Sequence, residues 1–221
     1  MRRLTSRNQA LRKCRQRANS VFLFVLLAAG IVLAVILGGD VRRLAQIELK
    51  HPELLIAAFV GRGLVVLLGA THSLTIISLA RPLNVFVGLF LLAVVWLNRH
   101  LPGALLFGLG QTLNLAAIVA FGGRMPVLFL TPPGGIDAVH ASARLEMLRK
   151  GFDPLHVYLA HPSGLWFLGD IFDISLLHHI SVVSLGDLFM VAGVIWLVIR
   201  VSQQKRSTFV PPRVTTTSAA P

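Results

Sequence analysis

Five apolar stretches alternate with polar segments along the chain. The first covers residues 21–37, contains no charged side chain, and follows an arm rich in arginine. Four more cover residues 54–71, 83–97, 104–121 and 185–201. A helix needs roughly 20 apolar residues to cross the hydrocarbon core of a bilayer, and these stretches reach or approach that length. The pattern predicts an all-α integral membrane protein with five transmembrane helices.

The position of the second helix depends on how its apolar residues are grouped. Residues 64–80 are nearly as apolar as residues 54–71, and a helix there would move Arg62 from the middle of the membrane to an interface, where its side chain would reach water. Arg81-Pro82 and the segment 98–103 are predicted breaks, because proline and glycine beside charged residues disfavour a continuous helix. Both registers of the second helix stay open here.

A long polar loop covers residues 122–184. Asp137 is positioned to cap a helix that ends near Lys150, with Glu146 four residues before the lysine as a favourable ion pair. Asp153-Pro154 resembles a second cap and predicts a short helix that ends before His161. Neither helix is apolar enough to span, so both are expected at the interface or outside it.

Residues 164–180 form the difficult segment of this loop. Their length is close to that of a span, but Asp170 and Asp173 would lie near the bilayer centre, where each aspartate costs about 2.5–3.5 kcal/mol. We therefore expect a re-entrant or interfacial segment, with six spans as the alternative. Basic residues are shared between both sides with five spans, whereas a sixth span would gather most of them on one side, so the orientation stays open.

Composition and charge agree with a membrane environment. The mean hydropathy is +0.74 and only 14% of the residues are charged, against about 25% in soluble proteins. The net charge of +12 comes mainly from the tails and short connections. Basic residues placed there act as topology signals and contact anionic lipid headgroups, so the expected partner is lipid and not nucleic acid. Because Cys14 is the single cysteine, no disulfide forms within one chain.

The chain is predicted to have three parts. Residues 1–20 form a basic N-terminal arm, and residues 21–201 form one helical membrane domain. Residues 202–221 combine basic, Ser/Thr and proline residues with little apolar material, which predicts a disordered tail.

Short motifs recur in an order that resembles a known protein family. They are N-x-x-L-P-G at 98–103, Gly110, Asn114, GGRMPV at 122–127, LGD at 168–170 and SLGD at 184–187. Together they are similar to an uncharacterised bacterial multi-span membrane family known only as a domain of unknown function, over roughly residues 30–200. The resemblance implies a multi-pass protein of the bacterial cytoplasmic (inner) membrane and supplies no activity. It singles out the following residues: Gly122, Gly123, Arg124, Met125, Pro126, Gly169, Ser184, Gly186 and Asp187.

Local structure accounts for most of these motif residues. Ser184 and Asp187 have the spacing of a capping box at the start of the last span. Gly122-Gly123 with Pro126 predicts a tight turn that ends a span, and Arg124 is expected to contact headgroups. A substrate-binding turn is the alternative interpretation.

Small residues recur at helical spacing in two of the predicted spans. Such stripes allow another helix to approach closely. Packing of these two helices against each other would explain both stripes without a partner chain. The stripe residues are Gly30, Ala34 and Gly38 in the first span and Ala104, Gly108 and Thr112 in the fourth.

Five polar residues are candidates for one buried polar site. Gln111 and Asn114 lie three residues apart and therefore on one helix face, where they would bond Arg62 or line a polar cavity. An aspartate of the re-entrant segment, Asp170 or Asp173, would be an economical partner for Arg62, since an unpaired charge in hydrocarbon is costly.

Metal binding and catalysis have little support in the sequence. His161, His178 and His179 offer ligand groups together with Asp170 and Asp173, but their spacing matches no known metal motif. The chain also lacks a G-x-S-x-G elbow and a Walker glycine loop. The sequence predicts no metal and no cofactor, and it favours a protein that is not an enzyme.

Two functional hypotheses follow. The first is a non-enzymatic accessory, assembly or scaffold component that binds membrane lipids and a membrane protein partner. The alternative is a small transporter or lipid-handling protein with an intramembrane polar site. No inverted repeat links the two halves, which weakens the transporter interpretation.

Overall fold

The structure is a computed structural model that describes part of the chain. It covers residues 28, 30–69, 74–128, 146, 148–150, 153–176 and 179–203, with the backbone alone for residues 69, 74, 173–176 and 179–181. The basic arm, Asp137 and the predicted disordered tail from residue 204 onward lie outside these residues. The predicted ion pair of the loop is present, since Glu146 Oε1 lies 2.7 Å from Lys150 Nζ.

The described chain is mostly helical. Two of its helices, Thr75–Leu97 and Leu185–Ser202, are long and apolar enough to cross a membrane by length and composition, and Ala104–Ala120 is a shorter apolar helix. A 3-10 turn at Val41–Gln46 precedes the longer helices. The α-helices are α1 (residues 30–36), α2 (Pro52–Gly69), α3 (Leu74–Leu97), α4 (Ala104–Ala120) and α5 (Leu185–Ser202).

The helix boundaries settle the question of register. The alternative helix at 64–80 is wrong, because α2 ends at Gly69 and α3 begins at Leu74. The predicted break at Arg81-Pro82 is also wrong, since α3 continues through Pro82. A proline removes one backbone hydrogen bond, and a long apolar helix tolerates this loss when neighbouring groups pack around it.

The predicted break at 98–103 is confirmed. Helix α3 ends at Leu97, and Gly103 precedes α4 with a φ of 80°. An added Cβ on Gly103 would lie 2.1 Å from the carbonyl oxygen of Gly193, so both the backbone conformation and the close approach of α5 require glycine.

The chain is mostly helical as predicted, but a small mixed sheet replaces the predicted helical loop, so the fold is not all-α. Five transmembrane helices are not supported either, because two of the described helices are long and apolar enough to span. The strand order is β2-β1-β3-β4, in which β1 pairs parallel with β2 and β3, and β3 pairs antiparallel with β4. The strands are β1 (Met125–Val127), β2 (His156–Tyr158), β3 (Asp170–Leu176) and β4 (His179–Ser184).

A 3-10 turn and strands, not a sixth helical span, form the described part of 164–180, where a re-entrant or interfacial segment was expected. This part contains a 3-10 turn at Trp166–Leu168 followed by β3, in which residues 172–176 (FDISL) alternate apolar and polar residues with the period of a strand, after a register shift between Asp170 and Phe172. The helix predicted between Asp153-Pro154 and His161 does not form either. The Asp153 carboxylate instead accepts hydrogen bonds from the backbone N–H groups of Leu155 and His156. These bonds form a turn that leads into β2.

Helices α4 and α5 pack in opposite directions at very short distance. Gly103 lies against Gly193, and an added Cβ on Gly110 would lie 2.3 Å from the carbonyl oxygen of Gly186. We call the end where α4 meets β1 and β4 enters α5 the sheet end of the bundle. A core cluster there joins α4 to the sheet and the 3-10 turn, and consists of Ala117, Ile118, Met125 and Leu168.

The two predicted small-residue stripes do not face each other. An added Cβ on Gly30 would lie 3.2 Å from Ile195 of α5, whereas one on Gly108 would lie 3.0 Å from Val95 of α3. Gly38 has open space around its Cβ position. Buried Ala34 belongs to α1, and Ala104 begins α4. The shortest packing of α4 therefore uses other glycines than those predicted.

Large apolar side chains cover the outside of the helices. Phe59 on α2 is 70% exposed, Phe86 on α3 is 68% exposed and Trp96 is 63% exposed. In contrast, Asn84, Asn98, Gln111 and Asn114 are buried. The described bundle is thus apolar outside and contains buried amides within.

Candidate functional site

The N-terminus of α5 carries the predicted capping box, which is confirmed. Asp187 N donates to Ser184 Oγ at 3.0 Å, and Ser184 N donates to Asp187 Oδ2 at 3.1 Å. The Ser184 hydroxyl also donates to Asn114 Oδ1 at 2.8 Å, while Asn114 Nδ2 donates to Asp187 Oδ1 at 2.8 Å. The motif therefore links α4 to the start of α5, beyond capping one helix.

An added Cβ on Gly186 would lie 2.0 Å from Asn114 Oδ1. Glycine at this position therefore leaves the room that the Asn114 side chain needs. Gly186 and Asn114 both belong to the motifs noted in the sequence, and their close approach requires glycine at position 186.

Asn84 is the centre of a second polar connection at the sheet end. Its side chain is 2% exposed, accepts a hydrogen bond from the Arg62 guanidinium, and donates one from Nδ2 to the Gly123 carbonyl at 2.9 Å. Asn84 thereby joins α2, α3 and the turn after α4. Asn84 is part of no recognisable motif, so its polarity was its only signal in the sequence.

Arg62 is predicted to be near Asp170, and its electrostatic surroundings include that residue. The carboxylates of Asp187, Asp170 and Asp153 attract the Arg62 guanidinium, with Asp187 contributing most. Gln111 and Asn114 do not bond Arg62. Gln111 Nε2 instead donates to the Gly88 carbonyl at 3.3 Å, and Asn114 bonds the cap of α5. The Asp173 side chain lies outside the described residues.

Two buried carboxylates flank one imidazole at the sheet. His156 Nδ1 lies 3.1 Å from Asp153 Oδ1, and His156 Nε2 lies 3.6 Å from Asp170 Oδ2. Asp153 and Asp170 are both buried. The sequence analysis singled out Asp170 but missed this arrangement, because His156 in β2 and Asp170 in β3 are not close in the sequence. Only the three-residue spacing of Asp153 and His156 was a local signal.

The Gly122-Gly123 turn has the tight geometry that the sequence predicts. Gly122 has a φ of 65° and Gly123 a φ of 89°, and Gly123 N donates to the Ile118 carbonyl at 2.8 Å. An added Cβ on Gly123 would lie 2.7 Å from both Cβ and the carbonyl oxygen of Arg81. The turn thus brings the residue after it, Arg124, beside helix α3.

Arg81 and Arg124 share an uncommon feature among the described residues. The Nε atom of each is buried and has no hydrogen-bond partner. Burial lowers the pKa of Arg124, the positive charge of Arg81 lowers it further, and Asp153 opposes both effects. A buried donor without a partner costs about 1–3 kcal/mol, so a pair of them calls for a physical explanation.

The remaining motif residues pack in the interior or close against neighbouring backbone. Met125 and Pro126 are buried in β1, and an added Cβ on Gly169 would lie 2.4 Å from the Pro126 carbonyl oxygen. Thr112 Oγ1 donates to the Gly108 carbonyl of its own helix. Gly108 and Thr112 border an open apolar groove of about 510 Å³ between α3 and α4.

Among the described residues, no group of three or more histidine, cysteine, aspartate or glutamate side chains is placed to hold a metal ion. Of the candidate ligands, His161 is exposed. His178 and the side chain of His179 lie outside the described part of the chain.

Comparison with known proteins finds a family match. Residues 46–199 match a protein family described as a family of unknown function (DUF5317). This range includes the four longer helices almost to the end of α5, the described strands, and all the polar residues above. No curated protein and no solved structure matches the chain.

Proposed function

The chain belongs to this family of unknown function, and we propose that it is a multi-pass protein of the bacterial cytoplasmic membrane. In this proposal it acts as a non-enzymatic accessory, assembly or scaffold component. The observation that carries the membrane role is the combination of an apolar outer surface with buried amides inside the bundle.

Exposed apolar residues are the first argument. A helix on the surface of a soluble protein has an apolar stripe towards the core and polar residues towards water. Here Phe59, Phe86 and Trp96 lie on the outside of the bundle and are mostly exposed. Lipid tails are as apolar as these side chains, so a bilayer would cover them at no cost in hydration.

Helix length is the second argument. With a rise of 1.5 Å per residue, the 24 residues of α3 are about 36 Å long, and the 18 residues each of α2 and α5 are about 27 Å long. The hydrocarbon core is about 30 Å thick, and small mismatches are accommodated by tilt or local thinning. We propose that α2 to α5 all lie in the membrane and that the sheet lies at one of its surfaces.

The non-enzymatic role is supported by how the buried amides are used. Asn84 joins α2, α3 and the turn after α4, Gln111 joins α4 to α3, and Asn114 joins α4 to α5. Polar side chains used this way stabilise helix packing in a membrane. The alternative, a small transporter or lipid-handling protein, would need Gln111 and Asn114 for a ligand, and their present bonds favour the structural role.

A charge placed on the outer surface tests the membrane role. Phe59 lies near the middle of α2, so Phe59→Asp would put a carboxylate in the bilayer at a cost of about 2.5–3.5 kcal/mol. We expect wild-type protein to remain in the membrane pellet after alkaline carbonate extraction and Phe59→Asp to accumulate poorly there. In a water-soluble protein an exposed Phe59→Asp would be harmless.

The matched control is Glu48→Lys, an exposed position outside the helices. It should leave the amount of membrane-bound protein unchanged. Recovery of wild-type protein in the carbonate supernatant, or equal accumulation of all three proteins, would contradict the membrane role.

The accessory role is tested by what the protein retains. Full-length protein purified from its native membrane in mild detergent should carry a protein partner in fixed stoichiometry, identified by mass spectrometry. Asp170→Asn should retain that partner. A chain that retains only a lipid or small molecule, which both Arg62→Ala and Asp170→Asn release, would instead support the lipid-handling alternative.

A further inference from the structure

We propose that Arg81 and Arg124 form a binding site for a phosphate group at the sheet end of the bundle. Arg81 belongs to α3, and Arg124 follows the Gly122-Gly123 turn at the end of α4. The site is separate from the Asn114 connection and from the groove between α3 and α4.

The turn is shaped to bring the two arginines together. Gly123 has a φ of 89°, which residues with a side chain rarely adopt, and it contacts the backbone of Arg81 too closely for any Cβ. Its carbonyl is held by Asn84, one helical turn after Arg81. The position of Arg124 relative to α3 is therefore fixed by buried contacts on both sides of the turn.

The Nε–H groups of both arginines lack a hydrogen-bond acceptor in the described structure. Each of these Nε atoms is buried, and the positive charge of Arg81 disfavours the charged form of Arg124. Buried donors without an acceptor are uncommon in native proteins, and an unobserved ion is one of the recognised explanations. An anion between Arg81 and Arg124 would accept from both and cancel their repulsion.

The acidic residue that acts on Arg124, Asp153, is already engaged. Asp153 attracts Arg124, but its Oδ1 accepts hydrogen bonds from Leu155 N and His156 N and faces the His156 ring. Asp153 thus offsets part of the positive charge of Arg124 without accepting from either Nε–H.

Phosphate is the anion that fits two guanidinium forks best. It offers several acceptor oxygens, and arginine binds such groups through two parallel hydrogen bonds. The phosphate has two potential sources, a lipid headgroup or a soluble phosphate compound. Arg81 and Arg124 lie where helices meet the sheet, which is the depth of lipid headgroups if the bundle crosses a membrane.

The experiment measures stabilisation by phosphate in the full-length protein. The three tryptophans report unfolding of protein purified in a phosphate-free maltoside detergent. One arm titrates inorganic phosphate against chloride at constant ionic strength. The other arm adds phosphatidylglycerol to the micelles, with phosphatidylcholine as the zwitterionic reference.

We expect at least one arm to raise the unfolding temperature in a saturable way. Arg124→Gln and Arg81→Gln should each weaken the apparent affinity at least 10-fold. The matched control is Arg99→Gln, an exposed arginine at the opposite end of the bundle that stacks on Trp96, and it should respond like wild type. A response to inorganic phosphate identifies a soluble ligand, whereas a response to phosphatidylglycerol alone identifies a headgroup.

Arg124→Gln also separates binding from a structural role. Without ligand, this variant loses a buried unpaired donor and the repulsion from Arg81, so its unfolding temperature should equal or exceed that of wild type. If Arg81→Gln does not fold, Arg124→Gln and Arg124→Lys carry the test. No stabilisation of wild type in either arm, or an unchanged affinity in Arg124→Gln, would overturn the phosphate site. The phosphate arm in detergent does not depend on the membrane role, so failure of one leaves the other standing.

Discussion

The Ser184 hydroxyl donates a 2.8 Å hydrogen bond to Asn114 Oδ1 across 70 residues of sequence. Ser184 is at once the last residue of β4 and the N-cap of α5, and Asn114 lies in the buried face of α4. The other side of the same amide donates to Asp187. One side chain on α4 therefore fixes the point where the sheet becomes a helix.

Asn114→Leu should destabilise the protein by about 2 kcal/mol, because the Ser184 hydroxyl loses its acceptor and Asp187 loses a donor in a buried position. The measurement is the free energy of unfolding in detergent. Thr112→Val on the exposed face of α4 is the control, since the Thr112 hydroxyl bonds only the carbonyl of Gly108 in its own helix. Equal stability of the two variants would show that the amide connection contributes nothing.

Gly186→Ala should destabilise more strongly, or prevent folding, because the added methyl group would lie 2.0 Å from Asn114 Oδ1 and 2.5 Å from the Gly110 carbonyl oxygen. Overpacking of this kind costs typically about 1–3 kcal/mol, and here the contacted atoms include backbone. The expected readout is a lower unfolding temperature and a lower yield of folded protein.

Gly63→Ala is the matched control for Gly186→Ala. Gly63 lies inside α2 and has nothing within 4 Å of its Cβ position. Because alanine favours helix over glycine by roughly 0.5–1 kcal/mol, this variant should be as stable as wild type or slightly more so. If both alanine variants behave alike, α4 and α5 are not packed as closely as the structure has them.

Local features of the sequence account for what could be predicted. The capping box needs only Ser184 and Asp187, three residues apart, and the Gly122-Gly123 turn needs two adjacent glycines, so both are visible in the sequence. Membership of an uncharacterised family was also predicted and is confirmed by the match over residues 46–199. The capping box and the turn each depend on residues close together in the sequence, and the family membership depends on short motifs that occur in a fixed order.

The sheet could not be predicted in the same way. Strands β1 and β2 have three residues each and pair across 31 positions, from Met125 to His156. So short a strand carries no periodicity, and its pairing depends on long-range packing. The alternation in residues 172–176 of β3 was a usable signal, but the length and hydropathy of 164–180 directed the prediction to the membrane instead.

Asn98 offers a test at the opposite end of the bundle. Its Oδ1 accepts from Lys50 N at 2.8 Å, and its Nδ2 donates to the carbonyls of Lys50 and Val94. Asn98→Leu removes all three bonds and should cost about 2–3 kcal/mol, since the Lys50 groups lose their partners. Asn98→Asp keeps the acceptor but turns a carboxylate towards carbonyl oxygens, so it should also destabilise.

The control for these variants is Arg99→Gln, an exposed neighbour in the same loop. The unfolding temperature of each variant is the readout. A fully tolerated Asn98→Leu would mean that the loop before α2 is held by other contacts.

Asp153 combines two roles that substitution can separate. Its Oδ1 accepts from Leu155 N at 2.9 Å and His156 N at 3.0 Å, which forms the turn into β2, and its charge faces His156 and acts on Arg124. Asp153→Asn keeps an oxygen for the turn and removes the charge, whereas Asp153→Ala removes both. If the turn dominates, alanine should cost about 2 kcal/mol and asparagine clearly less, by the free energy of unfolding. Equal losses in the two variants would instead assign the contribution of Asp153 to its charge, and the pairing of β1 with β2 would then depend on the carboxylates around His156.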